Sequence, residues 1–136
     1  MPKSLYQYRI CPEHQQQIEA MLNQILPSHR YKPDKEKNVF SCGGFIAAKR
    51  KIEYKIIGDI LNICIWKVFK GSYGRTTYHP ISSAVGFVLN SGMKNTIENT
   101  INIISQQYPL ALITCCMDVD DNFIAELYRK IDHQKN

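Results

Sequence analysis

The sequence predicts an α+β domain, a single layer of mainly antiparallel sheet with five to six strands and three helices packed on it. Three observations carry that expectation. β-Forming residues crowd the middle of the chain, 39–69, in runs too closely spaced to leave a helix between them. Apolar residues recur with a helical period in three other places, within 12–26, 92–108 and 122–131. A fully apolar run, 110–117, stands between the last two. At 136 residues the chain has the size of one domain and can bury a core without metal or disulfide. We therefore read 1–136 as a single domain, with 132–136 as a tail.

The elements follow in order. Residues 4–10 alternate Leu5, Gln7 and Arg9 against Tyr6, Tyr8 and Ile10, the period of a strand. From Pro12 the period changes: Ile18, Met21, Leu22, Ile25 and Leu26 line one face of a helix. Pro12 suits its first turn, Glu13 its positive end, and Pro27 stops it. Residues 28–38, SHRYKPDKEKN, read as an exposed charged connection, long for a compact domain. A strand over 39–48 is interrupted by Gly43 and Gly44, residues 49–51 fit a tight turn, and Gly58–Asp59 splits the next run into strands 52–57 and 60–69. The second of these sets Ile60, Asn62, Cys64 and Trp66 against Leu61, Ile63, Ile65 and Lys67, so it reads as partly polar on one face.

Residues 71–74 form a loop, 75–79 a strand ending at Pro80, and 85–89 another strand, with 90–92 as the break after it. Ile97, Ile101, Ile104 and Tyr108 mark the second helix, closed by Pro109. The run 110–117 has the composition of a central strand, buried on both faces. Residues 118–122 turn and cap a last helix whose face is Phe123, Leu127 and Ile131, with Ile124 and Tyr128 beside it.

Composition excludes several classes. With 44% hydrophobic and 21% charged residues the chain is not low-complexity, and no apolar run approaches the ~18 residues of a bilayer span. The first ten residues lack the apolar stretch of a secretion signal. Five cysteines (Cys11, Cys42, Cys64, Cys115 and Cys116) include no CxxC, which argues against a disulfide framework or structural zinc and for a reducing, cytoplasmic setting. Most sit in apolar runs and read as buried inert thiols, while Cys11, ahead of the first helix, has a hint of an electropositive setting.

The net charge is +5, and its placement matters more than its size. Residues 28–80 carry eleven bases against four acids: Arg30, Lys32, Lys35, Lys37, Lys49, Arg50, Lys51, Lys55, Lys67, Lys70 and Arg75 against Asp34, Glu36, Glu53 and Asp59. Within them, 66–79 interleaves Trp66, Phe69, Tyr73 and Tyr78 with Lys67, Lys70, Arg75 and His79, the composition of a single-strand nucleic-acid platform and equally of an ordinary hairpin. Asp118, Asp120, Asp121 and Asn122 suggest an EF-hand start. Phe123 and Arg129 occupy the positions where that loop needs Gly and Glu, so the cluster reads as a helix cap. His79 with Arg75 would suit a ribonuclease-like acid–base site, though nothing singles out a second acid or base.

The last third is similar to the closing segment of GNAT-type acyltransferases. The residues that carry the resemblance are the helix over 92–108, the strand 110–117, and DVDDNFIAELYRKI with Asn122, Leu127, Tyr128 and Lys130 in the family's strand–Asn–L-Y-x-K pattern. The resemblance implies acetyl-coenzyme A bound near Gly92, Met93 and Lys94, and Tyr128 as general acid toward the departing thiolate. The family's [QR]-x-x-G-x-[GA] loop is replaced here by LNSGMKN with a lone Gly92.

Taken together, the residues lead us to expect a small non-enzymatic binding protein, a regulator or inhibitor, that needs no cofactor. Its basic aromatic middle would dock onto an acidic macromolecule, whether nucleic acid, a nucleoprotein complex or an acidic protein. The contacting residues would be Arg30, Lys32, Lys35, Lys37, Lys49, Arg50, Lys51, Trp66, Lys67, Lys70, Tyr73, Arg75 and Tyr78. The acyltransferase and a small nuclease toxin are the alternatives. Open strand edges leave room for a homodimer.

Overall fold

The computed structural model describes residues 3–43, 49–70, 76–79 and 84–134, with the side chains of 69–91 and 134 left out. The chain forms β1 (Lys3–Arg9), a 3₁₀ turn (Pro12–His14), α1 (Gln15–Ser28), β2 (Lys32–Pro33), β3 (Val39–Cys42), β4 (Lys49–Ile57), β5 (Ile60–Lys70), β6 (Thr76–His79), α2 (Ala84–Ser105), β7 (Ala111–Val119) and α3 (Asp121–Gln134). Six strands make one antiparallel sheet in the order β2-β3-β4-β5-β1-β7, and the short β6 pairs with the far end of β5. The α+β class is as the sequence predicts. No helix among the described residues is long and apolar enough to cross a membrane.

The core forms because both faces of the sheet are covered where its strands are longest. On one face Ile18, Leu22, Ile25 and Leu26 of α1 and Met93, Ile97 and Ile104 of α2 close over Tyr8, Ile52, Tyr54, Leu61, Ile63 and Ile65. On the other, Ile124 of α3, with Leu127 and Tyr128 beside it, packs on Leu5, Val39, Cys64 and Trp66. β5 lies between β4 and β1, paired from Ile57↔Ile60 to Lys49↔Val68 on one side and from Arg9↔Ile60 to Ser4↔Ile65 on the other. Leu61 through Lys67 are consequently all buried. The polar Asn62 is accommodated because its neighbours satisfy it: Gln7 Nε2 donates to its Oδ1 at 2.7 Å, and its Nδ2 donates to the Lys55 carbonyl at 3.1 Å. Gly58 turns the β4–β5 hairpin at φ 63°, a conformation that costs little without a Cβ.

Five local expectations are corrected. The run 110–117 is not central: β7 is the last strand of the sheet, hydrogen-bonded to β1 alone among the described residues. Residues 85–89 are not a strand but the opening turns of α2, since strand propensity yields to a helix that continues through residue 105. Residues 49–51 are not a turn; they begin β4, where Lys49, Arg50 and Lys51 pair with Val68, Lys67 and Trp66. The connection 28–38 is only partly exposed, because Tyr31 is 2% accessible and Lys32–Pro33 pair with Phe40 and Ser41. Finally, Phe123 points outward at 46% exposure, leaving Ile124 and Ile131 as the buried face of α3.

Pro27 sits inside the last turn of α1 rather than before its end, and the helix runs one residue further. Of the cysteines only Cys64 is buried; Cys42 and Cys116 are half-buried, while Cys11 and Cys115 are exposed. The cap on α3 is as predicted, with Asp120 Oδ1 accepting the Phe123 N–H at 2.8 Å. Replacing Asp120 by alanine is expected to cost about 1 kcal/mol, read from the urea midpoint. The glutamate or asparagine variant should lose less.

Candidate functional site

The period of two along β4 sorts its charges. Ile52 and Tyr54 turn into the core under α1, so Lys49, Lys51, Glu53 and Lys55 turn to the opposite face. Cross-strand register extends this face outward: Lys51 stands opposite Trp66 on β5 and opposite Ser41 on β3, which in turn stands opposite Lys32 on β2. Lys32, Lys49, Lys51 and Lys55 therefore share the side of the sheet that α3 covers over β1 and β5. Lys3 of β1 joins them at the rim of Trp66.

Their pairing is uneven. Lys51 Nζ lies 3.2 Å from Asp34 Oδ2, and Lys3 Nζ lies 3.0 Å from Asp121 Oδ1 and 4.2 Å above the Trp66 ring. Lys55 Nζ sits 5.0 Å over the Tyr128 ring. The Lys35 backbone N–H, 2.7 Å from Asp34 Oδ1, holds that carboxyl below its usual range, and the Lys51 ammonium adds to the effect. Arg30, Lys32, Lys35, Lys37 and Lys49 form no ion pair among the described residues. Arg30, Lys32, Lys35 and Lys37 are exposed, and Lys49 is half-buried. The result is a face at the β2 edge on which Lys32, Lys49, Lys51 and Lys55 outnumber Glu53 and Asp34, with several of its cations in no ion pair among the described residues.

Other expected contacts lie elsewhere. Trp66 is 6% exposed, a core residue under α3 with no free ring face for stacking. Arg50 and Lys67 stand opposite each other on β4 and β5, on the α1–α2 side. Arg50 donates from Nη2 to Cys42 Sγ at 3.7 Å, and Lys67 is 2% exposed. Burial, aided by the Arg50 charge, lowers the Lys67 ammonium to about 8. Tyr73 and Arg75 lie outside the described residues, as do the side chains of Lys70, Tyr78 and His79. Lys55, which the sequence argument left out of the contact set, belongs with the exposed face. The signal for it was the alternation of Lys49, Lys51 and Lys55, hidden by reading 49–51 as a turn.

Tyr128 stands beneath α3 with its Oη 3.4 Å from Cys64 Sγ. Burial pushes the phenol up strongly, the Cys64 thiol up to about 11, and the nearby Glu53 carboxyl above its usual range. At neutral pH the thiol and phenol are both protonated, an interior contact rather than an activated pair. Beside Tyr128 an open groove of about 480 Å³ is lined by Gln15, Lys55, Arg129 and Asp132 together with Ile56, Ile57 and Gly58 at the β4–β5 turn. Gly92, Met93 and Lys94 lie well inside α2, and Met93 is fully buried. Interior helical N–H groups bond to carbonyls four residues back, so these positions offer no amide cradle for a pyrophosphate. Of the aspartate cluster, Asp120 caps α3, Asp121 pairs with Lys3, and no group of metal-binding side chains converges among the described residues.

Comparison with known proteins leaves the chain on its own chemistry: no protein-family model matches it, and no curated protein is significantly similar to it in sequence.

Proposed function

We propose that this protein acts by docking, as a small regulator or inhibitor that presents the β2–β4 lysine face to an acidic macromolecule. The observation that carries the reading is the juxtaposition of Lys32, Lys49, Lys51 and Lys55 on one face, next to the exposed Arg30, Lys35 and Lys37 of the preceding connection. Such a field draws an oppositely charged partner and sets its orientation, while unpaired lysines lose little by being covered with acids. With Trp66 in the core, the face recognises charge rather than base stacking. An acidic protein surface or a nucleic-acid backbone both have that chemistry. The free cysteines are the ground for placing this work in the cytoplasm.

The test is capture from lysate on immobilised protein, at low and at high salt, with and without nuclease. A Lys32→Glu/Lys49→Glu variant runs in parallel. Neither position forms an ion pair among the described residues, so their reversal breaks none, and far-UV circular dichroism checks that the variant is folded. The wild type is expected to retain a partner at low salt, release it at high salt, and lose about tenfold or more in affinity on double reversal. Loss on nuclease treatment would identify the partner as nucleic acid. Capture unchanged by salt and by the double reversal would refute the docking face.

A further inference from the structure

The two edges of the sheet are built in opposite ways. At one, β2 is two residues long and consists of Lys32 and Pro33, a charge and a missing donor, both of which discourage further pairing. At the other, β7 runs for nine residues, Ala111–Val119, with no Lys, Arg, Pro or Gly and a single acid, Asp118, near its end. Its inner side pairs with β1, and among the described residues nothing pairs with its outer side. Leu112, Ile113 and Met117 are 61%, 42% and 39% exposed. A strand with the composition of a sheet interior thus stands where nothing in the described chain covers it.

We propose that β7 pairs antiparallel with β7 of a second copy, about a two-fold axis at Cys115, to give a sheet continuous across a homodimer. Three features select this occupant. Cys115 is the midpoint of Ala111–Val119, so this register brings the two strands face to face along their full length, with the axis at the middle. It sets Ile113 against Met117, Thr114 against Cys116 and Leu112 against Asp118, so Ile113 and Met117 meet on both sides of the axis and no like charges oppose. The strand's two register shifts against β1 fall between Leu112 and Thr114 and between Cys116 and Val119, so the stretch that is regular in both copies, Thr114 to Cys116, is the one centred on the axis.

Charge completes the argument. The chain is +5 overall, and of the bases in its excess segment 28–80, Lys32, Lys49, Arg50, Lys51 and Lys55 lie on β2 and β4, at or near the β2 edge. β2 and β7 are five strand spacings apart, about 24 Å at the usual separation, so two basic copies joined at β7 hold their lysine faces well apart. An acidic partner would be drawn to the other edge. The β7 edge, with Asp118 as its one charge, is where this chain meets its own copy with least repulsion. This inference does not depend on the docking reading and goes beyond it, since a dimer presents two such faces.

Sedimentation of the full chain under reducing conditions tests it, at about 1 µM and about 100 µM. The expected result is a dimer at the higher concentration and a monomer for the Ile113→Lys/Met117→Lys variant, with far-UV circular dichroism showing that the variant is folded. A short bis-maleimide, which joins thiols without oxidation, is expected to link two wild-type chains and two Cys11→Ser chains, but not two Cys115→Ser chains. A wild type monomeric at about 100 µM would overturn the proposal. So would a dimer that survives both lysines, or a cross-link lost with Cys11 and kept without Cys115. Should the double-lysine variant not fold, the cross-link alone decides.

Discussion

Truncating Leu61 to alanine is expected to cost about 2–5 kcal/mol, while the same truncation at Leu112 costs less than about 0.5 kcal/mol. Both are strand leucines, so the chemistry removed is the same and only the surroundings differ. Leu61 is fully buried on β5, flanked by β4 and β1 and covered by the helices of one face, and its loss leaves a cavity that two fixed strands cannot close. Leu112 is 61% exposed on the outer strand, and the monomer loses little apolar contact with it. Urea denaturation at about 1 µM, where β7 is unpaired, measures both differences against the wild type. Equal losses would place β7 in the sheet interior and contradict the strand order on which the dimer argument stands.

That pair of leucines also shows where sequence reasoning reaches its limit. Several features that depend on neighbours a few residues apart were legible: the alternation of β1, the apolar stripe of α1, the Gly58–Asp59 hairpin, the Asp120 cap. A strand's place in the sheet depends on partners far along the chain. An apolar run looks the same whether another strand of the fold covers it or a second molecule does, so β7 read as central. β5 read as half-polar because Asn62 counted against burial, when in fact Gln7, fifty-five residues away, satisfies it.

The candidate face divided along the same line. Its charge excess was visible in 28–80, yet Lys49, Arg50 and Lys51 are one cluster in sequence and two faces in space. The period of a strand sends Arg50 inward with Lys67 and leaves Lys49 and Lys51 outside. Trp66 was chosen for its ring; the pairing of β5 with β4 and the arrival of α3 put that ring in the core. Composition locates charge along a chain, and only register decides which charges meet.

Raising the pH from 10 to 12 is expected to unfold the protein, and the cause is a set of sealed tyrosines. Burial pushes Tyr8, Tyr31 and Tyr54 up to about 12 from an ordinary value near 10, and pushes Tyr6 and Tyr128 higher still. Glu98 and the Cys115 thiol add to the effect at Tyr8, and Glu19 at Tyr54, where Asn23 opposes it; Arg50 opposes it at Tyr31. A pKa raised on folding gives stability that is whole below the unfolded value and lost as pH rises through the folded one. At about 1.4 kcal/mol per unit, each of the three nearly inaccessible phenols forfeits about 2–3 kcal/mol by pH 12, and together they rival the ~5–15 kcal/mol that holds a typical domain. Cys64, raised to about 11, begins the decline near pH 9. Lys67 has the opposite sign: its ammonium is lowered to about 8, so the unfolded chain binds the extra proton and stability rises between pH 8 and 10.5. Lys67 begins its gain about a unit before Cys64 begins its loss, so urea midpoints should rise slightly from pH 7 to about 9 and fall back by about pH 10 as Cys64 and the tyrosines take over. Beyond that, the larger part of the phenolate absorbance near 295 nm should rise together with the loss of far-UV ellipticity, because five of the eight tyrosines are packed and ionise only as the sheet opens. Phenolate absorbance of all eight tyrosines that forms near pH 10 while the ellipticity holds would mean that Tyr8, Tyr31 and Tyr54 stand in water, and that the packing of α1 and α2 on the sheet is not as described.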